Sequence, residues 1–239
     1  MLAFSEIIKS NMPKKQKSSG VKLKVAEKLL EISLIILSVY IALFVEGWAE
    51  RRKEHKQLIQ YYTNFNSEIS EDVKELEDVI KDSEKHIQQT KKLLRLIKSK
   101  SNNDSMTLYL SKMMSSTLFS TSKMLSYKSM VASGDLRLIE DISVRHELIE
   151  LELSYEGVKI QENFYLDFIT KKFPDYIGKN VDMTSDVPLK PGFFQSMDLK
   201  NLIVLFRSLN ESRLDQYKIA LETAKKTLKV VKKELNSEL

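Results

Sequence analysis

Residues Leu29–Ala49, LLEISLIILSVYIALFVEGWA, are the one stretch of this chain that has the composition of a membrane span. The uncharged core of the stretch, Ile32–Val45, would be about 21 Å long as a helix, which is short for a hydrocarbon layer about 30 Å thick. The flanking residues lengthen the helix to about 31 Å and place Glu31 and Glu46 near the two interfaces. The sequence therefore predicts a transmembrane helix over residues 29–49.

Two other interpretations of this segment remain open. An apolar core of 14 residues is also typical of a buried helix in a soluble protein, and a basic start before such a core resembles a signal peptide. Gly47 and Ala49 offer small residues near a cleavage position, but Glu46 and the bulky Trp48 crowd that region. Trp48 suits the aromatic belt of a membrane interface instead, and Lys28 can snorkel at the opposite end.

Positive charge is concentrated before the span. Residues 1–30 carry seven lysines and two glutamates, a net +5 that equals the charge of the whole chain, so the remaining residues are balanced. Because lysine near a span is retained in the cytoplasm, this bias predicts a cytoplasmic segment over 1–28 and an extracytoplasmic domain over 50–239. The lysines can also contact anionic lipid. The balanced charge elsewhere gives no reason to expect a nucleic-acid partner.

The residues after the span have a helical pattern. The chain has no cysteine, which excludes disulfides and a lipidated-cysteine anchor, and its 30% charged residues, six glycines and four prolines favour long helices. Apolar residues recur in steps of three, four or seven, at Leu58, Tyr62, Phe65, Ile69, Val73, Leu76, Ile80, Ile87, Leu94 and Ile97. The predicted fold class is all-α, an N-terminal transmembrane helix followed by a long-helix bundle domain.

The first long helix should end in the polar stretch 99–105. Residues 106–119 predict at best a short helix and an irregular link, and residues 122–133 predict a short helix. Gly134 is placed to take the left-handed conformation that closes this second helix.

Asp141 or Ser143 can then cap a helix that runs to about Lys172, before Pro174. This helix should bury Val144, Leu148, Leu151, Tyr155, Val158, Phe164 or Tyr165, and Phe168. Three prolines and two glycines in residues 174–197 predict an irregular loop. Asp198 can cap the last helix, whose predicted apolar positions are Leu202, Leu205, Leu209, Tyr217, Leu221, Ala224, Leu228, Val231 and Leu235.

The ionisable residues form no recognisable catalytic constellation. The pairs Asp82 with His86 and His146 with Glu150 are four residues apart and could each offer two metal ligands, but a metal site needs more. The chain has no cysteine nucleophile, Gly-x-Ser-x-Gly elbow, glycine-rich phosphate loop or His-Glu-x-x-His motif. We therefore assign no catalytic, cofactor-binding or metal residue, no cofactor and no small-molecule substrate, and we expect the protein not to be an enzyme.

Two segments leave room for an alternative, a membrane-tethered enzyme with an unrecognised site in residues 105–135 or 174–197. A hydroxyl-rich run in the first of these segments is more typical of a polar loop than of a nucleophile or modification site; it comprises Ser115, Ser116, Thr117, Ser120, Thr121 and Ser122.

The chain resembles an uncharacterised family of bacterial single-pass membrane proteins. The residues that carry the resemblance are Glu31, Ile41-Ala42-Leu43, Trp48, Glu50-Arg51-Arg52, Ser133-Gly134-Asp135-Leu136-Arg137-Leu138-Ile139 and Leu148-Ile149, and the likeness continues into the last helix. The resemblance implies an anchor in the bacterial inner (cytoplasmic) membrane with an extracytoplasmic helical domain. It transfers no catalytic residue.

The expected role is therefore that of an interaction, scaffold or sensor-like module. Its partners would be the lipid bilayer and a protein, either a different one or a second copy of the chain. Ser38 and Ala42 are small residues four apart in the span, and such spacing can let two membrane helices approach closely.

Overall fold

The computed structural model describes residues 19–100, 103–113, 117–119, 124–182, 184–185 and 187–238. The chain divides into two compact units, residues 1–54 and residues 55–239. Most of the basic segment 1–28 lies outside the described residues, as do Ser115, Ser116, Ser120, Thr121 and Ser122 of the hydroxyl-rich run.

The described part of the chain is helical apart from short links, which confirms the predicted all-α class. The helices are α1 (Ser19–Lys98), α2 (Asn103–Lys112), α3 (Leu125–Ser133), α4 (Ile142–Asp167), α5 (Phe173–Asn180) and α6 (Met197–Glu238). Strands β1 (Val181–Asp182) and β2 (Val187–Pro188) pair antiparallel. Short 3-10 turns occupy Asp135–Leu138 and Phe193–Gln195, and a π turn occupies Phe168–Lys172.

The second unit is a bundle of three long helices: the part of α1 from His55, α4 and α6. Their buried residues repeat in alternating steps of three and four, the spacing of coiled-coil seams. In α1 these positions are Tyr62, Phe65, Ile69, Asp72, Leu76, Val79, Ser83, His86, Thr90, Leu93 and Ile97. Polar residues thus occupy several of the buried positions.

Ion pairs and hydrogen bonds give the directions of the three helices. Glu77 and Glu84 of α1 pair with Lys225 and Lys218 of α6, so these two helices are antiparallel. The Tyr155 hydroxyl of α4 donates to Asp72 of α1 at 2.8 Å. On α6, Thr227 bonds to Glu147 of α4 and Tyr217 bonds to Glu162, so α4 is antiparallel to α6 and therefore parallel to α1. The tightest helix pair is α4 and α6, where Gly157, Ala220 and Ala224 let the backbones approach.

Two parallel helices joined in sequence need a connection that returns along the bundle, and residues 99–141 provide it. The backbone N–H of Thr117 donates to Asp82, and that of Ser126 donates to Glu68 further down α1. At the end of the return, Asp135 accepts hydrogen bonds from Gln57 and Tyr61. The described parts of the link therefore descend the full bundle from the end of α1.

Several predicted helix ends are confirmed. Helix α1 ends at Lys98, directly before the polar stretch, and Gly134 closes α3 at φ 78°. Asp141 is the N-cap of α4, with its carboxylate accepting from the Ser143 N–H at 2.7 Å. Of the two alternatives in α4, Tyr165 is the buried residue, whereas Phe164 is exposed.

The predicted loop over 174–197 is wrong in its first seven residues, since α5 continues to Asn180. Pro174 lies in the first turn of α5, where a missing N–H costs little. The π turn before it widens the backbone, with the Phe173 N–H bonded to the carbonyl of Phe168. This wide turn makes room for the proline ring, so the helix continues where an ordinary helix would end.

For α6, the predicted cap is wrong and the predicted apolar stripe is confirmed only in part. Its first turn is capped by Ser196, whose hydroxyl accepts from the Leu199 N–H, and not by Asp198. The predicted apolar stripe is rotated toward the edge of the buried face, so that Leu205 is exposed and Leu228 is only half-buried. Three members of the predicted stripe, Tyr217, Ala224 and Val231, are buried as expected. The buried positions of α6 are Leu199, Ile203, Phe206, Asn210, Arg213, Tyr217, Ala220, Ala224, Thr227 and Val231, which include polar residues that an apolar pattern omits.

Candidate functional site

The large apolar side chains in the apolar segment of α1 are exposed. Every large apolar side chain from Leu29 to Val45 is between 52 and 69% exposed, and one described helix is long and apolar enough to cross a membrane. The hydroxyls of Ser33 and Ser38 donate at 2.7 Å to the carbonyls of Leu29 and Leu34. Both serine hydroxyls of the segment are thus satisfied by its own backbone.

The bundle contains a second distinctive feature, a buried polar layer between two hydrophobic clusters. One cluster includes Phe65, Leu76 and Tyr217, and the other includes Leu93 and Phe206. The side chains between them are Ser83, His86, Thr90, Glu162, Asn210 and Arg213, and all six are buried. All three long helices contribute to this polar layer, which therefore differs from an ordinary core face.

Three charged residues of the polar layer and its edge hold one extended segment, residues 117–119. Asp82 of α1 accepts from the Thr117 N–H at 2.9 Å, and Glu162 of α4 accepts from the Phe119 N–H at 2.7 Å. Arg213 of α6 donates to the Thr117 carbonyl at 3.4 Å. One backbone segment of the link is thereby fixed to all three helices of the bundle.

Glu162 and Arg213 are almost fully covered, at 1% and 0% exposure. Glu162 also accepts a short hydrogen bond from the Tyr217 hydroxyl, while the Arg213 guanidinium lies 3.8 Å from the centre of the Tyr165 ring. Burial raises the pKa of Glu162, and the hydrogen bonds and the charge of Arg213 offset part of that rise. Burial also raises the pKa of Tyr217, which keeps this phenol protonated.

His86 is the buried histidine of the polar layer. Its Nε2 lies 3.6 Å from Asp82, and the Thr90 hydroxyl donates to its backbone carbonyl. Burial lowers the pKa of His86, although the carboxylate of Asp82 acts in the opposite direction. His86 is therefore neutral near pH 7, and acidification places an unfavourable charge in the core.

The two candidate metal pairs lie in different surroundings. Asp82 and His86 belong to the polar layer, whereas His146 and Glu150 are exposed on α4 at 4.0 Å. Among the residues that the structure describes, no three or more histidine, aspartate or glutamate side chains are grouped to hold a metal ion. The arrangement that the layer does possess can fix the register of the helices and the position of the link.

The segment 133–139, singled out by its sequence, attaches the end of the link to α1. Gly134 takes the left-handed conformation, and Asp135 accepts hydrogen bonds from Ser133 as well as from Gln57 and Tyr61. The bonds from Ser133 and Tyr61 lower the pKa of Asp135, with that from Ser133 the largest cause. The segment 133–139 therefore has a structural role, because it fixes the point at which the chain reverses direction and begins α4.

Sequence reasoning missed Glu162 and Arg213 because it followed apolar residues only. Both occupy positions of the three-four repeat, Glu162 four residues after Val158 and Arg213 four before Tyr217. Following the three-four repeat through its polar positions as well would have identified Glu162 and Arg213 as buried.

These features define a class of protein: a helical bundle with a buried polar layer, preceded by an apolar helical segment. The chain belongs to a family of unknown function (DUF6090), whose model matches residues 31–183. This match confirms the expected membership of an uncharacterised family and includes the polar-layer residues of α1 and α4. No curated protein and no solved structure matches the chain.

Proposed function

We propose that the protein is a single-pass membrane protein whose helical bundle acts as a non-enzymatic interaction or scaffold module. The exposed apolar surface of Leu29–Val45 carries the proposal. A helix buried in a soluble core would have this face covered, whereas the side chains here remain more than half exposed. Burying one such side chain contributes about 1.5–3 kcal/mol, so transfer of the whole segment to lipid is strongly favourable.

The proposed orientation places the N-terminal segment in the cytoplasm and the bundle outside it, in the inner membrane of a bacterium. The lysines that precede the span support this orientation, since lysine next to a span is retained on the cytoplasmic side. Trp48 then lies at the outer interface with Arg52, whose guanidinium is 5.4 Å from the indole ring. Both residues suit the interface, where aromatic rings and long cationic side chains are favourable.

An exposed apolar stripe on α4 supports the interaction role. Ile142, Ile149, Leu153, Ile160 and Phe164 are 40 to 75% exposed and follow one another in steps of seven and four. Contiguous exposed apolar surface marks interaction sites, and this spacing matches a partner helix packed along α4.

Charge distinguishes the partner that this stripe would accept. Three glutamates, Glu150, Glu152 and Glu156, flank the middle of the stripe against one lysine, Lys159, so the flanking charge is predominantly negative. In an antiparallel pair of two identical α4 helices, these carboxylates would meet one another. We therefore assign the stripe to an amphipathic helix of a different protein that carries basic residues beside its apolar face.

A reporter fused after Leu239 tests the orientation: it should be active only on the extracytoplasmic side. A variant with Lys22, Lys24 and Lys28 changed to Glu should lose this preference, whereas Lys229 and Lys232 changed to Glu should not. Cytoplasmic activity of the native fusion would contradict the orientation. A mature chain that starts near Glu50, measured by intact mass, would instead establish a cleaved signal peptide.

Photo-crosslinking tests the interaction role. A photoreactive amino acid at Leu153 or Ile160 should give one discrete heterologous product in native membranes, and the same group at Lys229 should not. A product of twice the mass of the chain would assign the stripe to self-association. No product from either stripe position would contradict the interaction role while leaving the membrane anchor intact.

A further inference from the structure

The contact between α1 and α6 changes its charge pattern along its length. Glu77 pairs with Lys225 at 2.7 Å, and Glu84 pairs with Lys218 at 3.0 Å, in the regular register of antiparallel helices. Eleven residues beyond Glu84 on α1 is Arg95, and eleven residues before Lys218 on α6 is Arg207. The same register that places opposite charges together elsewhere therefore places two arginines together here.

A groove of about 380 Å³ lies at this level, lined by Lys91, Leu94, Arg95, Lys98 and Arg207. Among the described residues, no carboxylate forms an ion pair with Lys91, Arg95 or Lys98, and Glu211 lies 3.6 Å from Arg207. Four cations and one carboxylate leave a local charge of about +3. A cleft lined by one sign of charge concentrates the field and attracts counter-ions.

The surrounding sequence increases the positive field. Residues 85–103 contain six lysines and arginines and no aspartate or glutamate, although the chain after residue 30 is balanced overall. The negative end of the α1 dipole accounts for cations in its last turn, such as Lys98. It does not account for Arg207, which lies in the interior of α6, opposite Arg95.

We propose that this groove binds an extended multivalent anion whose charged groups are phosphoryl groups. Each of the two guanidinium groups can donate a pair of hydrogen bonds to a phosphoryl group in bidentate geometry, and lysines supply additional point charges. Lys91 and Lys98 are about 10.5 Å apart along the helix, further than one phosphate can span. A linear chain of phosphoryl groups lies along these cations, with Leu94 forming part of the groove wall.

Calorimetric titration of the full chain in an uncharged detergent, with sodium tripolyphosphate as the probe, tests the assignment. The variant Arg95→Gln/Arg207→Gln should bind the probe at least about tenfold more weakly, because each lost charge-assisted hydrogen bond is worth about that factor. The control Lys229→Gln/Lys232→Gln removes the same charge from exposed positions of α6 and should change the affinity less than about twofold.

Thermal unfolding provides a second measurement that does not depend on the calorimetric signal. Tripolyphosphate should raise the unfolding temperature of the native chain and the control, but not of the groove variant. Without the probe, the groove variant should be about as stable as the native chain, because relief of the repulsion between the two arginines offsets the loss of the partly exposed Arg207–Glu211 ion pair.

Three results would overturn the assignment. One is that the native chain does not bind tripolyphosphate, and another is that both double variants lose affinity equally. The third is that oligoglutamate binds more tightly than tripolyphosphate, which would replace phosphoryl groups by carboxylates.

Discussion

Removal of the buried carboxyl group in Glu162→Ala should destabilise the bundle by about 2–6 kcal/mol, because two buried hydrogen-bond donors lose their acceptor. Glu162 is 1% exposed and accepts hydrogen bonds from the Phe119 N–H and the Tyr217 hydroxyl. Its loss leaves both donors without this acceptor inside the core, at about 1–3 kcal/mol for each unsatisfied donor. The same change also removes a carboxyl group that interacts electrostatically with the buried Arg213 guanidinium.

Urea unfolding followed by far-ultraviolet circular dichroism measures this loss. Glu162→Gln keeps one acceptor and the side-chain volume, so its cost should lie between the native value and that of Glu162→Ala. Glu156→Ala on the exposed face of the same helix is the matched control and should stay within about 0.5 kcal/mol. A loss below about 1 kcal/mol for Glu162→Ala, or an equal loss for the control, would refute the role of the polar layer.

Three further predictions concern single positions. In the same urea assay, Leu76→Ala in the centre of the core should lower the free energy of unfolding by about 2–5 kcal/mol. The exposed control Lys85→Ala should stay within about 0.5 kcal/mol, and equal losses for the two variants would show that Leu76 is not a core residue. Because burial lowers the pKa of His86 from 6.5, the unfolded chain binds its proton first, so stability should fall as the pH drops below 6.5. His86→Gln should make urea midpoints measured across that range less dependent on pH, and an unchanged dependence would exclude His86 as the source. Gly134→Ala should cost about 1–2 kcal/mol through the left-handed backbone alone, since nothing lies within 4 Å of the added methyl group; a neutral result by thermal unfolding would contradict that conformation.

The apolar pattern was sufficient to predict the long helices of the bundle and several of their ends, but not α5. Tyr62, Phe65, Ile69 and Leu76 lie on the buried face of α1 as their spacing indicates. The helix ends at Gly134 and Asp141 could be predicted because they depend on local backbone conformation and on a cap within a few residues, both of which the sequence indicates.

Features that depend on contacts between helices were not predictable in this way. Glu162 and Arg213 are buried because two other helices and the link cover them, and their residue types alone favour exposure. That Arg95 and Arg207 are neighbours can be inferred only once the antiparallel register of α1 and α6 is known. Pro174 continues a helix because a π turn precedes it, and a proline in a sequence gives no sign of such a turn.

Alkaline carbonate extraction of native membranes tests the central claim, that the segment from Leu29 to Ala49 anchors the chain in a bilayer. Carbonate removes proteins held by surface charge, including any held only by the lysines before the span, and leaves integral proteins in the pellet. The full-length chain should remain with the membrane pellet. Release of the intact chain into the supernatant would contradict the anchor.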